Sequence, residues 1–271
     1  MVTSERVMTF NSVRHEALWG EEQWLVSAHS AGPSIVAAGQ NKGRKLADVA
    51  PGFPLLAKEI IARKPLSVQV HPNERTKWLV GGDAKTEMWC ALSEGAAYAG
   101  LKKGVVAADV EAAVKDGRFE ELMVYHRLKP GDVLFIPGGM VHTICEGTRI
   151  YEIQQSSDTT FRLYDWGRVG ADGKPRTLHV AQALNAIDYS LPPPTITSGV
   201  SCEFFDFRIS HVSGSIVVDG SGWTILYARH GSFAIDGVEY AEGETVLVAD
   251  GEDFALAGDN SEVFITKGRK R

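Results

Sequence analysis

Short apolar runs recur along the chain, separated by turns rich in glycine. The segments at 66–70 (LSVQV), 132–137 (DVLFIP), 149–154 (RIYEIQ), 222–228 (GWTILYA) and 244–249 (ETVLVA) each read as a strand. β-Branched and aromatic side chains suit a pleated, half-buried surface, and glycine supplies the bends between runs. Many such runs predict an all-β sandwich or barrel. Two segments follow a helical period instead. In 107–124 (AADVEAAVKDGRFEELMV), Val110, Val114 and Leu122 fall on one face, with Asp109 as the cap. In 179–188 (HVAQALNAID), Val180, Leu184 and Ile187 are at helical spacing. The stretch 53–64 (FPLLAKEIIARK) fits helix and strand equally well.

The run 191–199 (LPPPTITSG) interrupts the series. Three consecutive prolines cannot continue the preceding helix and favour an extended spacer. A cut there gives a larger domain at 1–190, a Pro-rich linker at 191–199 and a smaller module at 200–271. A weak repeat crosses the cut. Residues 128–144 align without gaps on 240–256, placing Gly131 on Gly243, Asp132 on Glu244 and Gly139 on Gly251. Residues 87–95 lie similarly on 223–231. The repeat predicts duplicated β-barrels. The chemistry is not duplicated, because His142 falls on Phe254 and Glu87 on Trp223.

Composition narrows the classes. At 271 residues and 44% hydrophobic, the chain can bury a core without disulfide or metal staples. Its 28 basic and 34 acidic residues leave a net charge of −6 with no basic block, so a nucleic-acid partner is not expected. No apolar run approaches the ~20 residues that span a bilayer. The first twenty residues lack the apolar core of a signal peptide. Cys90, Cys145 and Cys202 are odd in number and far apart, so buried thiols in a reducing cytoplasm are expected. No glycine-rich nucleotide motif is present.

The candidate chemistry lies in QVHP (69–72), KTEMW (85–89) and GGMVHTICEGT (138–148). On a strand, Gln69 and His71 share a face, while Val68 and Val70 point into packing between sheets. A face of Gln and His inside a small barrel is costly unless something binds it. Glu87 opens the next strand and His142 follows a Gly-Gly turn at the start of another. These four side chains from neighbouring strands could converge on one ion. Nitrogen and oxygen donors without thiolate suit Zn²⁺, Fe²⁺ or Mn²⁺, and a mixed His/Glu set with an open position is the catalytic kind.

Residues 53–72, then KTEMW, then 129–148 and then YEIQQSSDTTFRLYDWGR (151–168) closely resemble the type I mannose-6-phosphate isomerases, the short bacterial form above all. The resemblance runs from about WLVSAHSAGPS (24–34) to HVAQAL (179–184). It implies a mainly β fold, with a cupin (jelly-roll β-barrel) catalytic domain, a helical insertion and a second, smaller, metal-free cupin-like β module. It also implies one Zn²⁺ per chain, held by Gln69, His71, Glu87 and His142. The family's active-site arginine falls on Arg162, ten residues after Glu152. Lys85 and Ser67 match positions that line the family's substrate pocket.

The implied reaction interconverts mannose 6-phosphate and fructose 6-phosphate through an enediol. It needs a stabiliser for the oxygens, a base for the carbon-bound proton and a grip on the phosphate. Zinc serves as the Lewis acid. Glu152 is the favoured base, with zinc-bound water or hydroxide as the alternative, and Gln154 on the same face could hold a hydroxyl or a water. Arg162 is read as an electrostatic stabiliser or a phosphate clamp, because a guanidinium keeps its proton and matches phosphate bidentately. Arg168 is the second phosphate candidate; Lys85 is the third, or polarises the sugar oxygens. Trp19, Trp24, Trp78 and Trp89 read as core or pocket wall, and His126, His179, His211 and His230 as structural or exposed. Two rival readings are another metal-cupin enzyme such as an iron dioxygenase, and a non-catalytic sugar-phosphate-binding module. The expected partner is a small sugar phosphate, without nucleic acid or membrane, and the sequence carries no signal for an oligomeric state.

Overall fold

In the computed structural model, which describes residues 6–170 and 172–269, the recurring apolar runs are strands. The fold is mainly β, with antiparallel sheets. The ambiguous 53–64 stretch is the strand Leu55–Ala62. Sheet neighbours on both sides, strands Gly20–Ser27 and Arg149–Gln155, satisfy its backbone and decide the matter. No helix among the described residues is long and apolar enough to cross a membrane.

Contacts divide the chain into two units, one of residues 1–13, 24–57 and 198–271 and the other of residues 14–23 and 58–197. The Pro-rich 191–199 segment therefore contains one passage between units, and residues 1–13 and 24–57 group with the C-terminal part.

The first unit holds a nine-stranded sheet built around the long strands Phe205–Val218 and Phe254–Gly268. Its core gathers Val212, Leu226, Phe233, Val246, Phe254, Leu256 and Val263.

In the second unit, strand Glu87–Ala91 lies between Val133–Ile136 and Arg149–Gln155 in one sheet. A second, five-stranded sheet runs in the order Phe161–Tyr164, Val68–Val70, His142–Ile144, Gly95–Leu101, Met123–Leu128. The repeat seen in sequence appears as a recurring strand pair. Strand Val133–Ile136 pairs with Glu87–Ala91, and strand Thr245–Val248 pairs with Thr224–His230, both antiparallel.

The 107–124 segment is a shorter helix than its pattern predicts. Helix Ala107–Asp116 ends at Gly117, which takes φ 69° and donates its N–H to Ala113 O. A left-handed glycine is the usual stop for a helix. A 3₁₀ turn, Phe119–Glu121, then leads into strand Met123–Leu128. Asp109 caps from inside the helix, its carboxylate accepting the Val106 N–H at 2.9 Å. The second helix is Val180–Ala186.

Val68 and Val70 do not pack between sheets. They are buried in a cluster with Val110, Ala113, Ala183 and Ala186, so the two helices cover the outer face of their strand. Trp19, Trp24 and Trp89 are buried as expected, but Trp78 is 81% exposed on the short helix Lys77–Val80. That helix has no buried residue, and the Lys77 ammonium lies over the indole at 4.8 Å from its centroid.

Gly20 is fixed by close approach. A Cβ there would lie 1.9 Å from the Ile61 carbonyl oxygen, at a φ of 150° that side chains avoid. Gly20→Ala is expected to lower stability by about 1–3 kcal/mol, the usual cost of overpacking. Urea unfolding measures this; an unchanged midpoint would contradict the close packing at Ile61.

Candidate active site

Strand register brings the candidate residues together. Residues directly opposite on antiparallel strands share a face. Arg162 is opposite Gln69, and Gln69 is opposite His142, which makes one row across the five-stranded sheet. Gln154 is opposite Glu87, and Glu152 is opposite Trp89, which makes a second patch on the other sheet. Alternation adds Ser67 and His71 to the face of Gln69.

The side chains meet between these rows. His142 Nε2 is 3.4 Å from Glu87 Oε1, and His71 Nε2 is 3.5 Å from Glu87 Oε2. One donor atom from each of the three residues lies within 4.8 Å of the others. Gln69 reaches His142 at 3.3 Å and accepts the Ser67 hydroxyl at 3.0 Å. A half-turn of this amide would present its oxygen to the centre and still bond Ser67, because a hydroxyl both donates and accepts.

Both imidazoles are aimed. His71 Nδ1 faces Thr159 O at 2.7 Å, and His142 Nδ1 faces Met140 O at 2.9 Å. A carbonyl only accepts, so each Nδ1 carries the hydrogen and each Nε2 offers a lone pair to the centre. Burial holds His71 well below the ordinary imidazole range and lowers His142 as well, so both rings stay neutral. Burial alone would raise the Glu87 carboxyl, but the charge of Lys85 leads the effects that hold it below its usual range. Two neutral nitrogens, a carboxylate and an amide form a donor set suited to a divalent cation. Lys85 fills the role of that cation here, with its Nζ 2.7 Å from Glu87 Oε2 and 3.2 Å from His71 Nε2.

Glu152 adjoins the centre. It accepts the Trp89 indole N–H at 2.8 Å and pairs with Lys58 at 3.0 Å, with Lys85 4.0 Å away. Burial, then the charge of Glu87, raises its carboxyl above the ordinary range. Its nearer ion-pair partner is therefore Lys58. Lys58 was not among the sequence candidates. Its signal was a lone lysine at an inward position of LLAKEIIA, in register with Leu56 and Ile60. A second carboxylate, Glu22, holds it at 3.0 Å. Gln154 gives its amide nitrogen to the carbonyls of Gln155 and Ser157, which leaves its buried Oε1 without a hydrogen-bond partner.

The arginines divide by their partners. Arg168 is tied down: its Nη1 donates to Pro65 O at 2.5 Å, its Nε to Asp165 O at 3.2 Å, and its Nη2 to the Asp165 carboxylate. Arg162 has a buried Nε with no hydrogen-bond partner. His179 brackets the Arg162 backbone, accepting its N–H at Nδ1 (3.3 Å) and donating its own to the carbonyl at 2.8 Å. The expectation that His179 is structural fits this arrangement.

No family model matches the chain. Mannose-6-phosphate isomerase ManA of Bacillus subtilis is 32% identical over 224 residues, which cover 72% of this chain and 70% of that protein. GmuF, a relative from the same bacterium, is 36% identical over 182 residues, but the match covers 61% of this chain and only 58% of that protein. Among solved structures, the mannose 6-phosphate isomerase from Bacillus subtilis superposes with a TM-score of 0.84 at 24% identity, covering 96% of this chain and 99% of that one. A mannose 6-phosphate isomerase bound with zinc and yttrium reaches 0.72 at 13% identity, covering 98% and 100%.

The donor set predicts one tight divalent-metal site per chain. Equilibrium dialysis with metal analysis should find one equivalent bound, and affinity should fall on the order of 100-fold in His142→Ala. Lys85→Met should keep or tighten the site by removing the competing ammonium. Undiminished binding in His142→Ala would show that the donors do not act together.

Proposed function

Because the chain belongs to the mannose-6-phosphate isomerase family, we propose that it interconverts mannose 6-phosphate and fructose 6-phosphate at a zinc centre held by Gln69, His71, Glu87 and His142. The observation that carries this reading is the convergence of two aimed, neutral imidazoles on one buried carboxylate. The zinc in a solved structure of the same fold supports zinc as the metal. Cys90, Cys145 and Cys202 form no disulfide among the described residues, which suits a cytoplasmic location.

The isomerisation moves a proton between C2 and C1 of an open-chain sugar and develops negative charge on the neighbouring oxygens. A bound zinc ion would supply Lewis-acid stabilisation of those oxygens. The chain's own residues divide the remaining work. Glu152 takes the proton from one carbon and returns it to the other. A carboxyl raised by burial is better matched to that exchange than an ordinary one. Lys85, once free of Glu87, donates to a sugar oxygen and offsets its charge. Gln154 Oε1, which lacks a partner, accepts a sugar hydroxyl. Ser67 steadies Gln69. Arg162 supplies a permanent positive charge on the row of Gln69 and His142. Arg168, fixed by three acceptors, serves the substrate end as a frame more than as a free clamp.

A coupled assay tests the reading. Zinc-loaded protein should turn over mannose 6-phosphate, lose turnover on chelation and regain it with zinc. Arg162→Ala should keep its metal and lose roughly 10²–10³ in kcat/KM, the scale of a removed electrostatic stabiliser. Glu152→Gln should lower kcat by about 10²–10⁴. No turnover by the loaded protein, or full turnover after chelation, would overturn the assignment.

A further inference from the structure

A cavity of about 420 Å³ lies within the first unit and shares no residue with the candidate active site. That volume suits a small organic molecule. Strand register makes its walls apolar. Ile235 is opposite Val238, and Phe233 is opposite Tyr240, so these four share a face of their hairpin. Val7 and Thr9, from the strand Val7–Asn11, are opposite Val248 and Val246. Ile235 and Tyr240 belong to the apolar core of the unit and Val7 packs against it, so the cavity continues that core towards solvent.

Two independent features point to a ligand. The first is charge of one sign. Asp236, Glu239 and Glu244 line the cavity, and no lysine, arginine or histidine does. The Asp236 carboxylate has no hydrogen bond or ion pair among the described residues. Glu239 and Glu244 each accept one hydrogen bond, from the Ser232 hydroxyl at 2.5 Å and the Ala241 N–H at 2.6 Å. Each carboxylate keeps a second oxygen for a ligand. The other feature is Tyr240, which is 8% exposed and lines the cavity, while its hydroxyl has no hydrogen-bond partner among the described residues. A largely buried phenol in native structures normally has one. Burial raises the Tyr240 pKa and the charges of Glu244 and Asp236 raise it further, so the phenol lies close to both carboxylates.

The geometry points to a binding site in this cavity for a small organic ammonium with an apolar body. The ammonium donates to Asp236, Glu244 and the Tyr240 oxygen, and the hydrocarbon covers Val7, Ile235 and Val238. Charge of one sign over low-dielectric walls concentrates ions of the other sign. A metal ion fits less well, because among the described residues only His71, Glu87 and His142 gather closely enough to hold one. The site stands apart from the isomerase reading and does not depend on it.

Calorimetric titration of the full chain with phenethylamine tests the site, with phenethyl alcohol and phenylacetate as neutral and anionic comparators. At neutral pH the protonated amine should bind about 5- to 10-fold tighter than the alcohol, the scale of partly exposed ion pairs, and phenylacetate should bind weakest. High salt should shrink the preference. Asp236→Asn combined with Glu244→Gln should abolish the preference and leave the alcohol bound, which a lost fold would not. Tyr240→Phe should weaken the amine about 2- to 10-fold, the scale of one hydrogen bond. Val238→Lys should block the amine, because Val238 is 56% exposed at the cavity and its replacement brings an ammonium of its own. Equal affinity for amine and alcohol, or a preference that survives the paired substitution, would overturn the site. Turnover of mannose 6-phosphate does not enter this readout, so either claim can fail without the other.

Discussion

Charge buried in a barrel is tolerated only when each charge has a partner, because desolvation costs several kcal/mol per ion. Lys58, Lys85, Glu87 and Glu152 are all buried in one unit, two ammonium groups against two carboxylates. Their pairings run from Lys58 to Glu152 at 3.0 Å and from Lys85 to Glu87 at 2.7 Å, with Lys85 also 4.0 Å from Glu152. The rest of the site follows from this balance. A divalent cation entering between His71, Glu87 and His142 would add two charges where Lys85 now supplies one. Lys85 would then be pushed from Glu87 towards Glu152 or towards substrate. The lysine matched to a family pocket position thus has a physical reason to move as the site fills.

The balance could not form without strand register. A slip of one residue in Val68–Val70 would turn Gln69 to the helical cover and bring Val68 or Val70 into the cup. The two valines prevent this, since they are buried against Val110, Ala113, Ala183 and Ala186. The helices therefore serve the site from the opposite face of that strand. They select which face of a three-residue strand is polar. The backbone carbonyls of Thr159 and Met140 then fix the imidazole rings, so the donors are aimed before any ligand arrives.

Much of this was legible in the sequence because it depends on alternation. Gln69 with His71, and Glu152 with Gln154, were placed on common faces by counting in twos, and the structure keeps both pairs together. The four motif segments implied a ligand set by resemblance, and three of its members meet as a possible metal site. The misses have different causes. The 107–124 pattern continues past Gly117 in hydrophobicity, but the backbone turns left-handed there and stops the helix. Trp78 looked like a wall residue because tryptophan usually is one, but its helix packs through Val80 and leaves the indole exposed. Lys58 escaped because its partner is distant: Glu152 is 94 positions from it in the numbering. Pairing at that range is set by sheet order and leaves no local signal.

The repeat shows how one strand pair serves two ends. In the first unit, the position equivalent to His142 is Phe254, and it lies in a core with Leu226 and Val246. The position equivalent to Glu87 is Trp223, which packs edge-on to Phe53 at 5.7 Å between centroids. The side chains of that core cluster are apolar and need no charged partner. In the second unit the same strand pair carries a carboxylate where the first carries an aromatic ring. That substitution forces the compensating lysines, the aimed imidazoles and the orphaned Gln154 oxygen. Such a cluster is no gain to stability over well-packed hydrophobic residues. Its persistence beside an apolar version of the same scaffold is therefore better explained by chemistry than by folding.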